Sequence, residues 1–147
     1  MTATGHAIIG TLIAAKIGNP YLAIPLAITS HIAADMIPHW DTATNIKTKG
    51  KKRVIIETLY DIALGFFLSW LLIIYFFPTT NPIYVIFMIL VSQSLDWLMA
   101  PYYFWNMQFP LFRWAYTFQK KFDNSLDAPW GIIIQVAILV LLVTLAV

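Results

Sequence analysis

The chain has 147 residues, of which 60% are hydrophobic and 11% are charged, and its formal net charge at pH 7 is +2. Soluble domains carry about 25% charged residues, so this composition excludes an ordinary water-facing surface and predicts an integral membrane protein. The length fits one domain over residues 1–147. The absence of cysteine excludes disulfides, thiolate metal sites and cysteine nucleophiles.

Two short apolar stretches open the chain, at residues 3–17 and 21–37, and a turn signal at 18–20 separates them. A membrane span needs about 20 residues. These stretches can therefore be tilted spans, a re-entrant pair, or a hairpin buried among longer helices. Residues 1–5 lack the basic region of a secretory signal, so we expect them to belong to the mature structure.

Three longer apolar stretches follow, at residues 54–77, 83–104 and 129–147, and the first of them is long enough to cross a bilayer. A tight turn at 78–82 separates the first two. The aromatic, amphipathic segment 105–128 is expected to lie on anionic lipid at the membrane interface, or to form a lid that admits a lipid headgroup. The pattern predicts an all-α membrane bundle of about five helices with an interfacial segment.

Basic residues indicate the orientation of this bundle. With five spans, the loops after the second and fourth stretches face the same side, and they contain eight of the nine basic residues: Lys47, Lys49, Lys51, Lys52, Arg53, Arg113, Lys120 and Lys121. Only Lys16 falls on the other side. The positive-inside rule then predicts a multi-pass inner-membrane (plasma-membrane) protein with a cytoplasmic N-terminus.

Ionisable residues within the first two stretches lie at matching heights. His6 is 12 residues before Gly18 and His31 is 11 residues after Pro20. At a helical rise of 1.5 Å per residue, both lie about 17 Å from their shared turn. Asp35 follows His31 at i+4, on the same helix face.

A second hairpin repeats this arrangement. Asp61 and Asp96 lie at similar heights, roughly 23 to 25 Å from the turn between their helices, and Glu57 precedes Asp61 by four residues. An ionisable residue inside a span costs about 2.5 to 3.5 kcal/mol, so such residues usually face the bundle interior and find partners.

Imidazoles and carboxylates at a common height predict a divalent metal ion, with zinc favoured. The ligands predicted from these positions are His6, His31, Asp35 and Asp96. Asp61 or Glu57 would act as the general base. The sequence therefore favours metal-assisted hydrolysis of an amphiphilic substrate at the cytoplasmic membrane face.

Simpler interpretations remain open at this point. His31 and Asp35 can form an ordinary hydrogen-bonded pair, and Glu57 can pair with Lys52 or Arg53. The whole set can be a structural polar network in a non-catalytic scaffold, or a relay in a small ion- or proton-coupled transporter. Nucleic-acid binding is disfavoured, because the aromatic and basic residues lie beside the predicted spans.

The opening of the chain resembles that of small bacterial inner-membrane proteins described as metal-dependent hydrolases, which are distantly related to zinc-dependent phospholipase C-like proteins. The matching residues are His6, Ser30, His31, Asp35, Pro38, His39, Trp40 and Asp41. Asp96-Trp97 and the segment 118–124 also resemble parts of an uncharacterised membrane-protein group with the same opening.

The resemblance implies a helical membrane bundle with a metal site and hydrolytic activity on a phospholipid. The matching positions for the metal site are His6, His31, Asp35 and His39. Better-known members of the hydrolase group carry a further His-Arg…Thr-His motif, which this chain lacks. Any additional ligand must therefore come from the aspartates, with Asp61 and Asp96 as the remaining choices.

Overall fold

A computed structural model describes all 147 residues and contains α-helices without β-strands. The eight helices are α1 (Ala3–Lys16), α2 (Pro20–Met36), α3 (Ile46–Lys49), α4 (Lys51–Phe76), α5 (Pro82–Ser92), α6 (Ser94–Trp105), α7 (Pro110–Gln119) and α8 (Trp130–Ala146). The predicted all-α class is confirmed. The segment 105–128, predicted to be interfacial, contains the short helix α7.

The helix starts follow local capping signals. α2 begins at Pro20 after Asn19, whose side-chain oxygen accepts a hydrogen bond from the backbone N–H of Tyr21. α5 begins in the same way, at Pro82 after Asn81. An asparagine cap followed by proline favours a helix start, because the cap satisfies an orphan N–H and proline lacks one. The turns predicted from these residues are therefore present.

Helix α1 forms the centre of the bundle. Eleven of its fourteen residues are buried, and it packs mainly against α4 and α5 and also against α2 and α8. A helix that is hydrophobic on all sides is expected to be buried in this way. Its hairpin partner α2 is more exposed, with Tyr21 and Leu22 facing outward. Of the first two stretches, it is therefore α1 that lies buried among the other helices.

Gly10 allows α1 and α5 to approach closely. A Cβ atom at this position would lie 2.6 Å from the Ser92 hydroxyl and 2.8 Å from the Met88 carbonyl oxygen. Because one of these neighbours is backbone, the contact cannot be relieved by moving a side chain alone. Small residues allow the same close approach in membrane helix pairs.

Replacing Gly10 with alanine is expected to lower the free energy of unfolding by about 1 to 3 kcal/mol, since overpacking forces helices apart. Chemical unfolding in detergent micelles would measure the change. The matched control is Gly18→Ala, where an added Cβ has no neighbour within 4 Å. Equal losses in the two variants would contradict the close packing of α1 on α5.

The apolar stretch at residues 83–104 does not form one continuous helix. It is divided into α5 and α6, which are bent by 49°, with Gln93 between them. The Ser92 carbonyl, which would accept the N–H four residues on in a regular helix, instead accepts a hydrogen bond from His31 Nδ1 at 2.7 Å. The Gln93 side chain donates to the Ala3 carbonyl at 2.9 Å. Contacts from α1 and α2 therefore hold the break in place.

One helix, α4, has the length and apolar composition to cross a membrane by itself, and α5 with α6 meets the same criteria if the bent pair is one span. α8 is apolar but has only 17 residues. Large apolar side chains on the outside of these helices are exposed, among them Leu59, Phe67, Ile83 and Leu145. The existence of a helix that can span a membrane is confirmed for α4, and the five-span arrangement stays a prediction.

The loop after α2 and the segment after α7 are joined at one end of the bundle. The His39 N–H donates to the Asn124 carbonyl at 3.2 Å, and the Asn124 N–H donates to the Asp35 carbonyl at 3.0 Å. The Asn45 amide also donates to the Asp127 carboxylate at 2.8 Å. The two loops that carry most of the basic residues therefore meet. The Asp127 carboxylate accepts hydrogen bonds from the Asn45 side chain and from the Ala128 backbone N–H, and these hold the pKa of Asp127 below its ordinary value.

Candidate metal centre

A cavity of about 780 Å³ opens beside the joined loops. This volume is in the range of small-molecule sites. Six aspartates line it: Asp35, Asp41, Asp61, Asp96, Asp123 and Asp127. Apolar and aromatic side chains, including Leu59, Trp97 and Phe104, form much of the remaining wall. The cavity thus combines a carboxylate-rich surface with space for an apolar group.

Two histidines and one aspartate form a buried cluster on the inner wall. The rings of His6 and His31 stack with their centroids 3.8 Å apart. Asp35 lies between their Nε2 atoms, with Oδ1 3.1 Å from His6 and Oδ2 3.3 Å from His31. The Met1 amino group also contacts Asp35 Oδ1. All three side chains are almost completely inaccessible to solvent.

Asp96 extends this cluster toward the cavity. His6, His31 and Asp96 each offer a ligand atom within 4.8 Å of those of the other two, and His31 Nε2 lies 3.9 Å from Asp96 Oδ1. Asp35 lies beside both histidines, so the structure brings together four of the predicted ligands. These four residues come from three helices, α1, α2 and α6. We call these four residues, His6, His31, Asp35 and Asp96, the first cluster.

Hydrogen bonding prepares His31 to act as a ligand. Its Nδ1 lies 2.7 Å from the Ser92 carbonyl oxygen, which can only accept, so Nδ1 carries the proton. In the neutral ring, Nε2 then presents a lone pair toward the carboxylates. A backbone carbonyl that orients the outer nitrogen is the usual support for a metal-bound histidine. The helix break at Ser92 is thus part of the site.

The donor set of the first cluster fits a divalent metal ion. Two imidazoles and two carboxylates are ligands that Zn²⁺ accepts. His6 faces Asp35 through Nε2, while its Nδ1 is buried without a hydrogen-bond partner. The donor set, rather than this unpaired nitrogen, is what fits a bound cation at this position.

Gln119 of α7 was not predicted, yet it closes the first cluster. Its Nε2 donates to Asp96 Oδ1 at 2.6 Å and lies 3.4 Å from Asp35 Oδ2. This contact links the helix within the interfacial segment directly to the site. The only signal in the sequence was the location of Gln119 in the segment 118–124 that resembles other membrane proteins.

The two predicted general bases lie in different surroundings. Asp61 lines the cavity, but its carboxylate also accepts hydrogen bonds from the N–H groups of Ala3 at 2.6 Å and Thr4 at 3.3 Å. It therefore caps the start of α1, where a negative charge is stabilised by the helix dipole.

Glu57 is not part of the cavity wall. Its carboxylate pairs with Lys49 at 3.0 Å and with Arg53 at 2.7 Å. The structure thus corrects the placement of Glu57 near the catalytic groups and favours the ion-pair interpretation.

His39 was predicted to bind the same metal ion as His6 and His31, but it does not lie in the first cluster. The structure places it with Asp41 and Asp123, and each of these residues offers a ligand atom within 4.8 Å of the other two. The chain leaves the helical path at Ile37, so helix spacing cannot carry His39 to the first cluster. His39, Asp41 and Asp123 therefore form a second group of possible metal ligands.

Comparisons with known proteins gave no match. No protein-family model matches the sequence, and no significant similarity was found to curated proteins or to solved structures. The function must therefore be argued from the site itself.

Proposed function

We propose that this chain is an integral membrane hydrolase in which the first cluster holds a divalent metal ion, with zinc preferred, and which cleaves a phospholipid-like substrate at the cytoplasmic membrane face. The observation that carries the proposal is the convergence of His6, His31, Asp35 and Asp96 on one wall of a partly apolar cavity.

The outer surface of the bundle supports a membrane location. α4 exposes Phe67, Trp70 and Ile74, and α8 exposes Val140 and Leu145. Contiguous apolar surface of this extent is unfavourable in water and is typical of contact with lipid or a partner. α1, α2, α4, the bent α5–α6 pair and α8 would be the membrane part. The joined basic loops would face the cytoplasm.

The cavity lining supports an amphiphilic substrate. Lys47 and Lys120 lie on its wall and can attract a phosphate group. Ile62, Trp97 and Phe104 provide apolar surface for the adjoining part of an acyl chain. A lipid that enters sideways would thus keep its tails in the membrane while its headgroup reached the carboxylates.

The chemistry can be divided among the residues present. A bound divalent cation supplies Lewis acidity, which polarises a phosphoryl or acyl oxygen and makes water more acidic. Asp61 is the cavity carboxylate that we assign as proton acceptor, because each carboxylate oxygen retains acceptor capacity beyond its capping bonds. Gln119 would keep Asp96 and Asp35 in position through its amide.

One observation favours a non-catalytic scaffold as the second candidate. Asp35 already contacts both histidines and Gln119, so these groups satisfy much of their own hydrogen-bonding capacity. A structural network of this kind links helices without requiring a metal ion. It would explain the burial of the cluster but not the adjoining cavity.

The proposal is tested with the full-length protein purified in detergent and returned to phospholipid vesicles. We expect bound zinc by elemental analysis and release of lipid hydrolysis products by mass spectrometry. Chelation with EDTA should abolish product formation, and added Zn²⁺ should restore it. A folded protein that binds no metal and releases no product would favour the scaffold. Ion flux without hydrolysis would favour a transporter.

A further inference from the structure

A second group of side chains that could bind a metal ion lies at the wall of the cavity, outside the first cluster. His39 Nε2 is 3.6 Å from Asp123 Oδ1 and 3.9 Å from Asp41 Oδ2. The three residues come from the loop after α2 and the segment after α7, which the backbone pairing of His39 with residues 124–126 holds together. We call these three residues the second cluster.

The His39 side chain is aimed into this cluster without a partner. Only 1% of the side chain is exposed, and Nε2 is buried with no hydrogen-bond partner. Nδ1 lies 2.8 Å from the Ile37 carbonyl oxygen, which can only accept, so Nδ1 carries a proton. Nε2 is therefore the ring nitrogen that faces the two carboxylate oxygens, and in the neutral ring its lone pair is free to bind a cation placed between them.

Both carboxylates keep one oxygen for the cluster and use the other elsewhere. Asp41 Oδ1 accepts the Thr44 N–H at 2.8 Å, while Oδ2 faces His39. Asp123 Oδ2 lies 3.5 Å from Lys120 Nζ, while Oδ1 faces His39. Outer contacts of this kind orient metal ligands.

The spacing of the ligand atoms also suits an ion. Atoms that bind zinc at about 2.0 to 2.1 Å in a tetrahedron lie about 3.3 Å from one another. The observed distances of 3.6 and 3.9 Å are too long for hydrogen bonds but require only a small contraction to bind a cation. Three protein ligands would leave a fourth coordination position for a water molecule.

The backbone beneath the cluster is held by close packing against α8. A Cβ atom on Gly131 would lie 2.6 Å from the Trp40 backbone nitrogen and 2.9 Å from the His39 carbonyl carbon. The start of α8 therefore rests directly on the residues that present His39. This contact limits the freedom of the His39 backbone before an ion binds.

We propose that His39, Asp41 and Asp123 form a second binding site for a divalent transition-metal ion such as Zn²⁺. The ion fastens the loop after α2 to the segment after α7 on the cavity wall. This site does not depend on the proposed hydrolysis, because its ligands and its effect on stability are independent of the first cluster.

The test compares zinc stoichiometry and thermal unfolding of the full-length protein in detergent, with Zn²⁺ as the probe. We expect two zinc ions per wild-type chain and one in Asp123→Asn, with a loss of at least about tenfold in affinity at the altered site. Added zinc should raise the unfolding temperature of Asp123→Asn less than that of the wild type. His39→Gln is the second variant if Asp123→Asn does not fold.

Two controls separate this site from its surroundings. Asp127→Asn removes a nearby cavity carboxylate outside the cluster, and Lys121→Met removes an exposed cation of the same segment that forms no ion pair with the ligands. Both should retain two zinc ions. The second site is refuted if Asp123→Asn and His39→Gln bind as much zinc as Asp127→Asn. Loss of zinc in these variants but not in His31→Ala would support the second site and contradict a metal ion in the first cluster.

Discussion

Replacing His31 with alanine is expected to abolish metal binding by the first cluster and to reduce the proposed phospholipid hydrolysis by about 100-fold or more, since changes even to the outer partners of metal ligands cost 10- to 100-fold. His31 is the residue through which the cluster is assembled. Its Nδ1 bonds to Ser92, and its Nε2 faces both Asp35 and Asp96. The measurements are zinc content and the initial rate of product release in vesicles.

The matched control for this variant is Thr29→Ala, on the same helix. The Thr29 side chain is exposed and bonds only to backbone carbonyls of its own helix, at Pro25 and Leu26. Its removal should change neither zinc content nor rate. His31→Asn adds a variant that keeps a side-chain donor for the Ser92 carbonyl. The assignment fails if a folded His31→Ala protein retains the zinc and the rate of the wild type.

Replacing Asp35 with alanine is expected to lower the stability of the metal-free protein by about 3 to 5 kcal/mol, the usual cost of removing one partner from a buried charged pair. Asp35 is 2% exposed and contacts His6, His31 and Gln119. Its loss would leave the buried Met1 ammonium and His6 Nε2 without an acceptor, and water cannot replace it readily at this depth. The free energy of unfolding is measured in detergent micelles.

The free energy of unfolding of Asp35→Ala is compared with that of Glu57→Ala. The Glu57 carboxylate likewise has two basic partners, Lys49 and Arg53. Glu57 is partly exposed, so its ion pairs should contribute at most about 1 kcal/mol. A similar loss in both variants would contradict the central role of Asp35.

Asp35→Asn separates the structural role of this residue from its role toward a metal ion. The amide keeps the shape of the side chain and one acceptor oxygen, so the loss of stability should be smaller than in Asp35→Ala. Its zinc affinity should nevertheless fall, because the neutral amide is a poorer ligand for zinc than a carboxylate. Full zinc binding by Asp35→Asn would exclude Asp35 as a ligand.

The positions of the helices could be predicted because their signals are local. The asparagine caps before Pro20 and Pro82 act on the next few backbone N–H groups, so the sequence alone indicates where α2 and α5 begin. The common height of His6 and His31 follows from the constant helical rise. The sequence therefore determined the helical class and the residues of the first cluster that lie within helices.

Only the tertiary structure decided which side chains face one another. Helical rise specifies height but not the direction of a side chain around the bundle, so it could not show that Glu57 turns toward Lys49. His39 lies beyond the end of its helix, where pairing with residues 124–126 sets the path of the chain. The break at Ser92 depends on a hydrogen bond from His31 on another helix, and Gln119 reaches the first cluster from far along the chain. These features are contacts between distant segments, and no local pattern of residues encodes them.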